Sequence, residues 1–180
     1  MVVLFLANGF EEIEALLPLD LLRRAGVQTV TVGLSGREIR GAHGITVLAD
    51  SEAVPVGDID MVILPGGMPG AANLDASAMV ADTLARTSAR GGYLAAICAA
   101  PMVLGHKGYL QGKRAVCFPG FEDELIGADV QTDIGVVRDG NIITAKGMGV
   151  ALDFGLALVA ALKDEATATA LRAAVMAPSV

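Results

Sequence analysis

Cys98 closes the apolar run Tyr93 to Cys98 and is followed at once by Ala99, Ala100 and Pro101. A proline there suits the first turn of a helix, where its missing N–H costs nothing, so the segment reads as a strand turning sharply into a helix. A side chain on such an elbow sits at the mouth of a sheet, ringed by small residues and facing the free N–H groups of the helix start. That field favours a thiolate and predicts a Cys98 pKa lowered toward about 3.5 to 7.5, the range of activated nucleophilic cysteines. The alternative is a packed thiol acting as a small hydrophobe.

Two other segments carry complementary chemistry. Gly66 and Gly67, in Pro65-Gly66-Gly67-Met68-Pro69-Gly70, can bring backbone N–H groups close to a ligand, so that this pair supplies one half of an oxyanion hole and the Ala99 N–H the other. A plain turn after a strand would look the same. In Asn8-Gly9-Phe10-Glu11-Glu12-Ile13-Glu14, Glu14 shares a helical stripe with Phe10, Leu17 and Leu21, which turns its carboxyl toward the core. Burial would raise its pKa and let it hydrogen-bond a thiolate. Glu11 and Glu12 fit solvated acids at a helix N-terminus, so Glu12 is expected to tolerate substitution. A local Cys–His dyad is disfavoured: His106 lies eight residues past Cys98, about 12 Å along a helix. His43 could reach a site only through the tertiary fold or from another subunit, and both histidines fit surface or capping roles. Cys117, before Phe118-Pro119-Gly120, reads as a packed thiol that could still lie near Cys98.

The elements that must position these groups alternate. Val2–Ala7, Val27–Leu34 and Met61–Leu64 are apolar strand patterns, and Glu11–Ala25, Ser77–Arg90 and Val150–Leu162 have helical spacing. A helix follows Cys98 to about Gly105, a strand is expected near Ala115–Phe118, and hairpins at Arg37–Ala49, on the sheet edge, and around Arg138-Asp139-Gly140-Asn141. Repeated strand-then-helix units predict an α/β fold with a mainly parallel sheet and helices on both faces, its site at the carboxyl ends of the strands. No linker or repeat divides residues 1–180, which read as one domain; Met176–Val180 reads as an irregular cap or docking segment.

Composition excludes several classes. A net charge of −7, with no basic cluster beyond Arg23-Arg24, argues against nucleic acid or an anionic membrane as partner. The start MVVLFLANGFEE lacks a basic leader, and the uncharged run from Gly91 to His106 is too short to span a bilayer, so a cytoplasmic protein is expected. Two cysteines are too few for a disulfide framework. Two histidines without paired spacing make a metal site improbable, and nothing calls for a cofactor.

The collinear series NGFEEIE, PLDLLRRAG, LPGG, AICAAP, CFPGFE and ALDFGLALV, from Val2 to Leu162, resembles the ThiJ/PfpI superfamily in its DJ-one-like branch. The resemblance implies a flavodoxin-like three-layer sandwich, usually homodimeric, with a nucleophile at Cys98, a protonated glutamate at Glu14 and oxyanion contacts from Gly67 and Ala99. The chain departs from the PfpI branch, which has histidine where Ala99 stands, and this weakens a peptidase or amidase reading. It departs from some animal members at Phe118, where they have histidine, and at His43, which aligns approximately with an arginine from the partner subunit. The pocket residues His43, Cys117 and Phe118 therefore bear on substrate preference. The implied function is a cofactor-independent glyoxalase III-type or deglycase enzyme acting on a small dicarbonyl or a glycated adduct. A redox-sensing or holdase-like protein with an oxidisable Cys98 is the alternative. High apolar content independently suggests a homodimer burying part of Glu11–Ala25, with Leu16, Leu17, Leu21 and Leu22 as its apolar band and Arg23-Arg24 as charge partners.

Overall fold

Period-two alternation along the apolar strands decides the architecture. In a computed structural model that describes residues 1–178, β1 (Val2–Leu6), β2 (Thr29–Gly33), β5 (Met61–Leu64), β6 (Tyr93–Ile97), β9 (Val136–Asp139) and β10 (Ile142–Ala145) form one sheet. Its order is β2-β1-β5-β6-β10-β9, parallel throughout except for β9, which returns antiparallel to β10. Val3, Phe5, Val62, Leu64, Leu94 and Ala96 point to one face, packed by α2 (Gly70–Asp75), α3 (Ala78–Ala89) and α4 (Pro101–His106). Their neighbours Val2, Leu4, Leu6, Met61, Ile63, Ala95 and Ile97 point to the other, covered by α1 (Glu12–Arg24), α5 (Ala151–Leu162) and α6 (Glu165–Ala174). Both faces are buried, which is why these strands are continuously apolar rather than alternately polar. This is the three-layer α/β arrangement expected, and the connections place the ends of β1, β5, β6 and β10 side by side at one rim.

Three expectations are corrected. The hairpin at Arg37–Ala49 forms as β3 (Glu38–Arg40) and β4 (Thr46–Leu48), but as a separate two-stranded sheet, not an edge of the main one. The strand near Ala115–Phe118 shrinks to β7 (Arg114–Ala115), paired in parallel with β8 (Asp129–Val130). Its continuation is diverted: the Val116 N–H donates to Thr144 Oγ1 at 3.0 Å and the Phe118 N–H to the Cys98 carbonyl at 2.8 Å. Helices α2 and α6 had no counterpart in the sequence pattern; α6 is fixed by its Asp164 cap, whose Oδ1 accepts the Thr167 N–H at 2.7 Å. Of the expected terminal cap, Met176 to Pro178 follow α6 irregularly and the last two positions lie outside the described residues.

α1 is sunk against α5. A Cβ on Gly155 would stand 2.6 Å from Leu21 Cδ1 and 3.2 Å from Pro18 Cα, so a larger residue would force α1 and the Leu21 side chain to shift. Leu21 and Leu22 are buried there. The basic end of α1 finds its partners within the chain, Arg23 pairing with Asp50 and Arg24 with Asp20. What α1 still presents outward is Ile13, 45% exposed, beside the half-buried Leu16 and Leu17.

Candidate active site

Backbone hydrogen bonds lace three loops together at the carboxyl rim. The Glu11 N–H donates to the Gly66 carbonyl at 2.9 Å, and the Gly9 N–H to the Arg40 carbonyl and the Ala42 N–H to the Phe10 carbonyl, each at 2.8 Å. The loops after β1 and β5 and the β3–β4 turn are thereby held as one body.

Cys98 stands at the end of β6 with φ of 65°, in the left-handed region that non-glycine residues rarely occupy. Its conformation is imposed from both sides: its N–H donates to Ala145 at 2.9 Å and its carbonyl accepts from Phe118. Strain of about 1–3 kcal/mol held by such over-determination recurs at functional sites. The half-buried thiol faces the Glu14 carboxyl, which is 1% exposed and accepts the Gly66 N–H at 3.0 Å on Oε2. A Cβ on Gly66 would lie 2.5 Å from both Cys98 Cβ and Glu14 Oε2, so the missing side chain is what lets thiol and carboxyl meet. Gly67, at φ of 83°, and Ala99 both offer their N–H groups to the Cys98 thiol.

Burial pushes the Glu14 carboxyl up to about 7, against hydrogen bonds from the Cys98 thiol and the N–H groups of Gly66 and Met148, and with a smaller upward push from Glu11. The thiolate-stabilising N–H groups expected from the sequence are present, but the lowered Cys98 pKa expected from them is not. Burial first, and then the Glu14 carboxylate, push the Cys98 thiol up to about 12, and the Gly67 and Ala99 N–H groups do not offset them. The helix that should have supplied the field, α4, has only six residues. The two groups are therefore coupled. Protonating Glu14 removes its repulsion and turns it from a charged neighbour into an O–H donor, which favours the thiolate.

Glu12 is not the solvated acid expected. It is 2% exposed, and its Oε1 accepts the N–H groups of His43 at 2.8 Å and Ile45 at 3.3 Å. Burial pushes its pKa up, but bonds from the His43 ring and from backbone N–H groups outweigh that and hold it below the ordinary value. His43 Nδ1 lies 2.9 Å from Glu12 Oε2, and the ring is exposed, its pKa raised by that bond. Within the described residues His43 is therefore a clasp on the rim, with Glu12 and not Cys98 as its partner. Glu11, Glu12 and His43 do bring one ligand atom each within 4.8 Å, but both Glu12 oxygens are already occupied by N–H donors. His106, at the end of α4, bridges Asp75 at 2.7 Å and Glu124 at 2.8 Å, in keeping with a capping role.

Cys117 is buried among apolar residues and its thiol is likewise pushed up, to about 11, chiefly by burial. Phe118 is half exposed and borders the site through its bond to Cys98. The segment Lys146-Gly147-Met148-Gly149, which departs from the Gly-Pro-Gly form of some family members, was given no role in the site; it brings Gly147 to the Glu14 carboxyl, where a Cβ would lie 3.9 Å from Oε1.

The profile described as the DJ-1/PfpI family matches residues 1–161. The chain is 35% identical over 177 residues to the Parkinson disease protein 7 homolog of Danio rerio, covering 95% of this chain and 94% of that one. It is 32% identical over 149 residues to a deglycase of Pyrococcus abyssi, covering 81% and 89% respectively. The solved structure of Toxoplasma gondii DJ-1, described as oxidized, superposes with a TM-score of 0.93 at 35% identity, covering 99% of this chain and 98% of that one.

Proposed function

The chain belongs to the DJ-1/PfpI family, and from that premise we propose that it is a cofactor-independent enzyme of the glyoxalase III or deglycase type, acting on a small 1,2-dicarbonyl or its adducts. The observation that carries the reading is the buried contact between the Glu14 carboxyl and a Cys98 thiol held in a left-handed conformation. The deglycase of Pyrococcus abyssi among its relatives supports the reaction class.

The chemistry follows from the coupled pair. With Glu14 neutral, the Cys98 thiolate adds to the aldehyde carbon of methylglyoxal and forms the C–S bond of a hemithioacetal. The new oxyanion lies between the Gly67 and Ala99 N–H groups, the donors that face the sulfur in the free protein. Glu14 gives up its proton to that oxygen and, as a carboxylate, takes the C1 proton to form an enediol. It passes that proton to the C2 oxygen, then takes the proton of the C1 hydroxyl and delivers it to C2, so C1 becomes the thioester carbonyl and C2 is reduced without an external oxidant. Water hydrolyses the resulting thioester to lactate and frees the thiol. A carboxyl poised near neutrality suits both halves of this shuttle.

Formation of lactate from methylglyoxal without glutathione tests the reading. Wild type and Cys117→Ser should turn over and Cys98→Ser should not; equal rates in all three would overturn it. The same proposal takes the chain as one cytoplasmic domain that pairs as a homodimer through the exposed Ile13 side of α1, and light scattering at micromolar concentration should give twice the 18.3 kDa monomer mass. A second reading, oxidation of Cys98 by peroxide to the sulfinate, is favoured by the half-buried thiol beside a carboxyl that can donate to the new oxygens. Mass spectrometry after peroxide treatment should then find the added oxygens on Cys98 and not on Cys117.

A further inference from the structure

An open groove of about 390 Å³ lies between Phe118-Pro119 and the loop Lys146–Val150; neither Cys98 nor Glu14 lines it, but Phe118 and Gly147 on its wall adjoin them. Its wall is almost wholly carbon, although it adjoins the most polar chemistry of the molecule. The single charged side chain on its rim is directed elsewhere, since Lys146 Nζ donates to the Thr132 carbonyl at 2.7 Å. Phe118 and Met148 present large apolar side chains, 48% and 55% exposed, that pack against nothing sufficient to cover them. Phe118 is tied to the nucleophile's residue through its N–H on the Cys98 carbonyl, and Met148 follows Gly147, whose Cβ position lies 3.9 Å from Glu14 Oε1. Gly147 stands between. Its φ of 161° is extended backbone open to any residue, so conformation does not require glycine there. A Cβ there would come 3.2 Å from Phe118 Cδ2, an exposed ring that can give, and 3.9 Å from Glu14 Oε1, an ordinary contact, so Gly147 marks how near the groove wall comes to the carboxyl.

We propose that this cavity is a specificity pocket for the substituent on the dicarbonyl, and that Phe118 and Met148 select 2-oxoaldehydes carrying an aromatic or long alkyl group over glyoxal. The inference rests on the dicarbonyl reading above and names its substrate class. A carbon-lined space of this size next to a few convergent polar groups is the ordinary form of a small-molecule site. With no cation turned into it, the pocket gains nothing from an anionic substituent. One or two buried methylenes are worth about 10- to 200-fold in such a pocket, and a phenyl ring exceeds that area.

Binding and turnover are measured separately so that the two readings can fail separately. Mandelate and glycolate, the hydroxy acids formed from phenylglyoxal and glyoxal, are titrated into the wild-type protein while the 13C-methyl signal of Met148 is followed by NMR. Mandelate should bind at least about tenfold tighter than glycolate and shift that signal, and Phe118→Ala should cut the advantage to about a third or less. Phe118 is exposed enough that its truncation leaves no core cavity. Affinities within twofold of each other, an advantage unchanged in Phe118→Ala, or a Met148 signal that moves with protein concentration and not with ligand would overturn the pocket; the last outcome would make the groove a contact between copies. In the turnover arm the ratio of kcat/KM for phenylglyoxal over glyoxal should fall in Phe118→Ala and Met148→Ala. If mandelate is selected but no dicarbonyl is consumed, the enzymatic reading falls and the pocket stands. If dicarbonyls are consumed through Cys98 without preference, the reverse holds.

Discussion

Glu12 and Glu14 lie two residues apart on α1, both essentially removed from solvent, and their carboxyls are displaced in opposite directions. Burial pushes both upward. Glu12 meets two backbone N–H groups and the His43 ring, and these win. Glu14 meets one N–H at 3.0 Å, another from Met148 and a thiol that is a poor donor, with Glu11 adding repulsion, and burial wins. Depth in the protein therefore does not set protonation; the count and quality of donors at that depth does. One acid serves as a fixed anion that pins the β3–β4 turn, and its neighbour is left free to exchange a proton near neutral pH.

The sharpest way to break this contrast is activity. Glu14→Gln should lower kcat/KM for methylglyoxal by about 10²- to 10⁴-fold, the usual worth of a positioned acid–base group. Glu12→Gln should stay within about tenfold, because its carboxyl touches the turn and not the thiol. Equal losses in two folded variants would mean that proton transfer is not confined to Glu14.

Stability against pH separates them next, with opposite signs. Glu14 binds its proton more tightly folded than unfolded, so wild type loses stability as pH rises from about 4.5 through about 7. Glu14→Gln should be more stable than wild type above that window, by on the order of 3 kcal/mol, and equal to it below. Glu12 behaves conversely: its contribution is present above its ordinary pKa and is lost as pH falls through the depressed one. Glu12→Gln should cost about 1–3 kcal/mol at pH 7 through its poorly matched buried donors, and the deficit should shrink in acid. Urea melts of the three proteins between pH 4 and 8 check both curves; parallel curves would refute the contrast.

The smallest effects belong to the histidines. His43→Ala removes only an exposed partner of Glu12 and should lower Tm by less than Glu12→Gln does. His106, held between Asp75 and Glu124, has its pKa raised by those bonds, so its stabilising charge is complete below about pH 6.5 and fades as pH rises through the raised value. His106→Gln should cost about 1 kcal/mol or less at pH 6 and progressively less at higher pH, without altering the Cys98 reaction.

Much of the frame was legible in the chain because it depends on local rules. Runs such as Val2–Leu6 and Met61–Leu64 are apolar at every position, which only a sheet covered on both faces requires, and the Cys98-Ala99-Ala100-Pro101 elbow announces itself by residue type. The helical stripe of Phe10, Glu14, Leu17 and Leu21 likewise carries Glu14 inward without any long-range knowledge. Where a backbone N–H or a ring from elsewhere would point was not legible. Nothing near Glu12 in sequence foretells that residues 43 and 45 will solvate it, and although Glu14 was expected beside the thiol, nothing near Cys98 foretells that burial will outweigh the N–H groups facing its sulfur. The sequence by itself determined which residues arrive at the rim, since periodicity and turn chemistry act over a few residues. Only the tertiary structure decided their charge states and the carbon-lined space beside them, because desolvation and hydrogen bonding are set by neighbours that the fold assembles from 30 to 130 residues away.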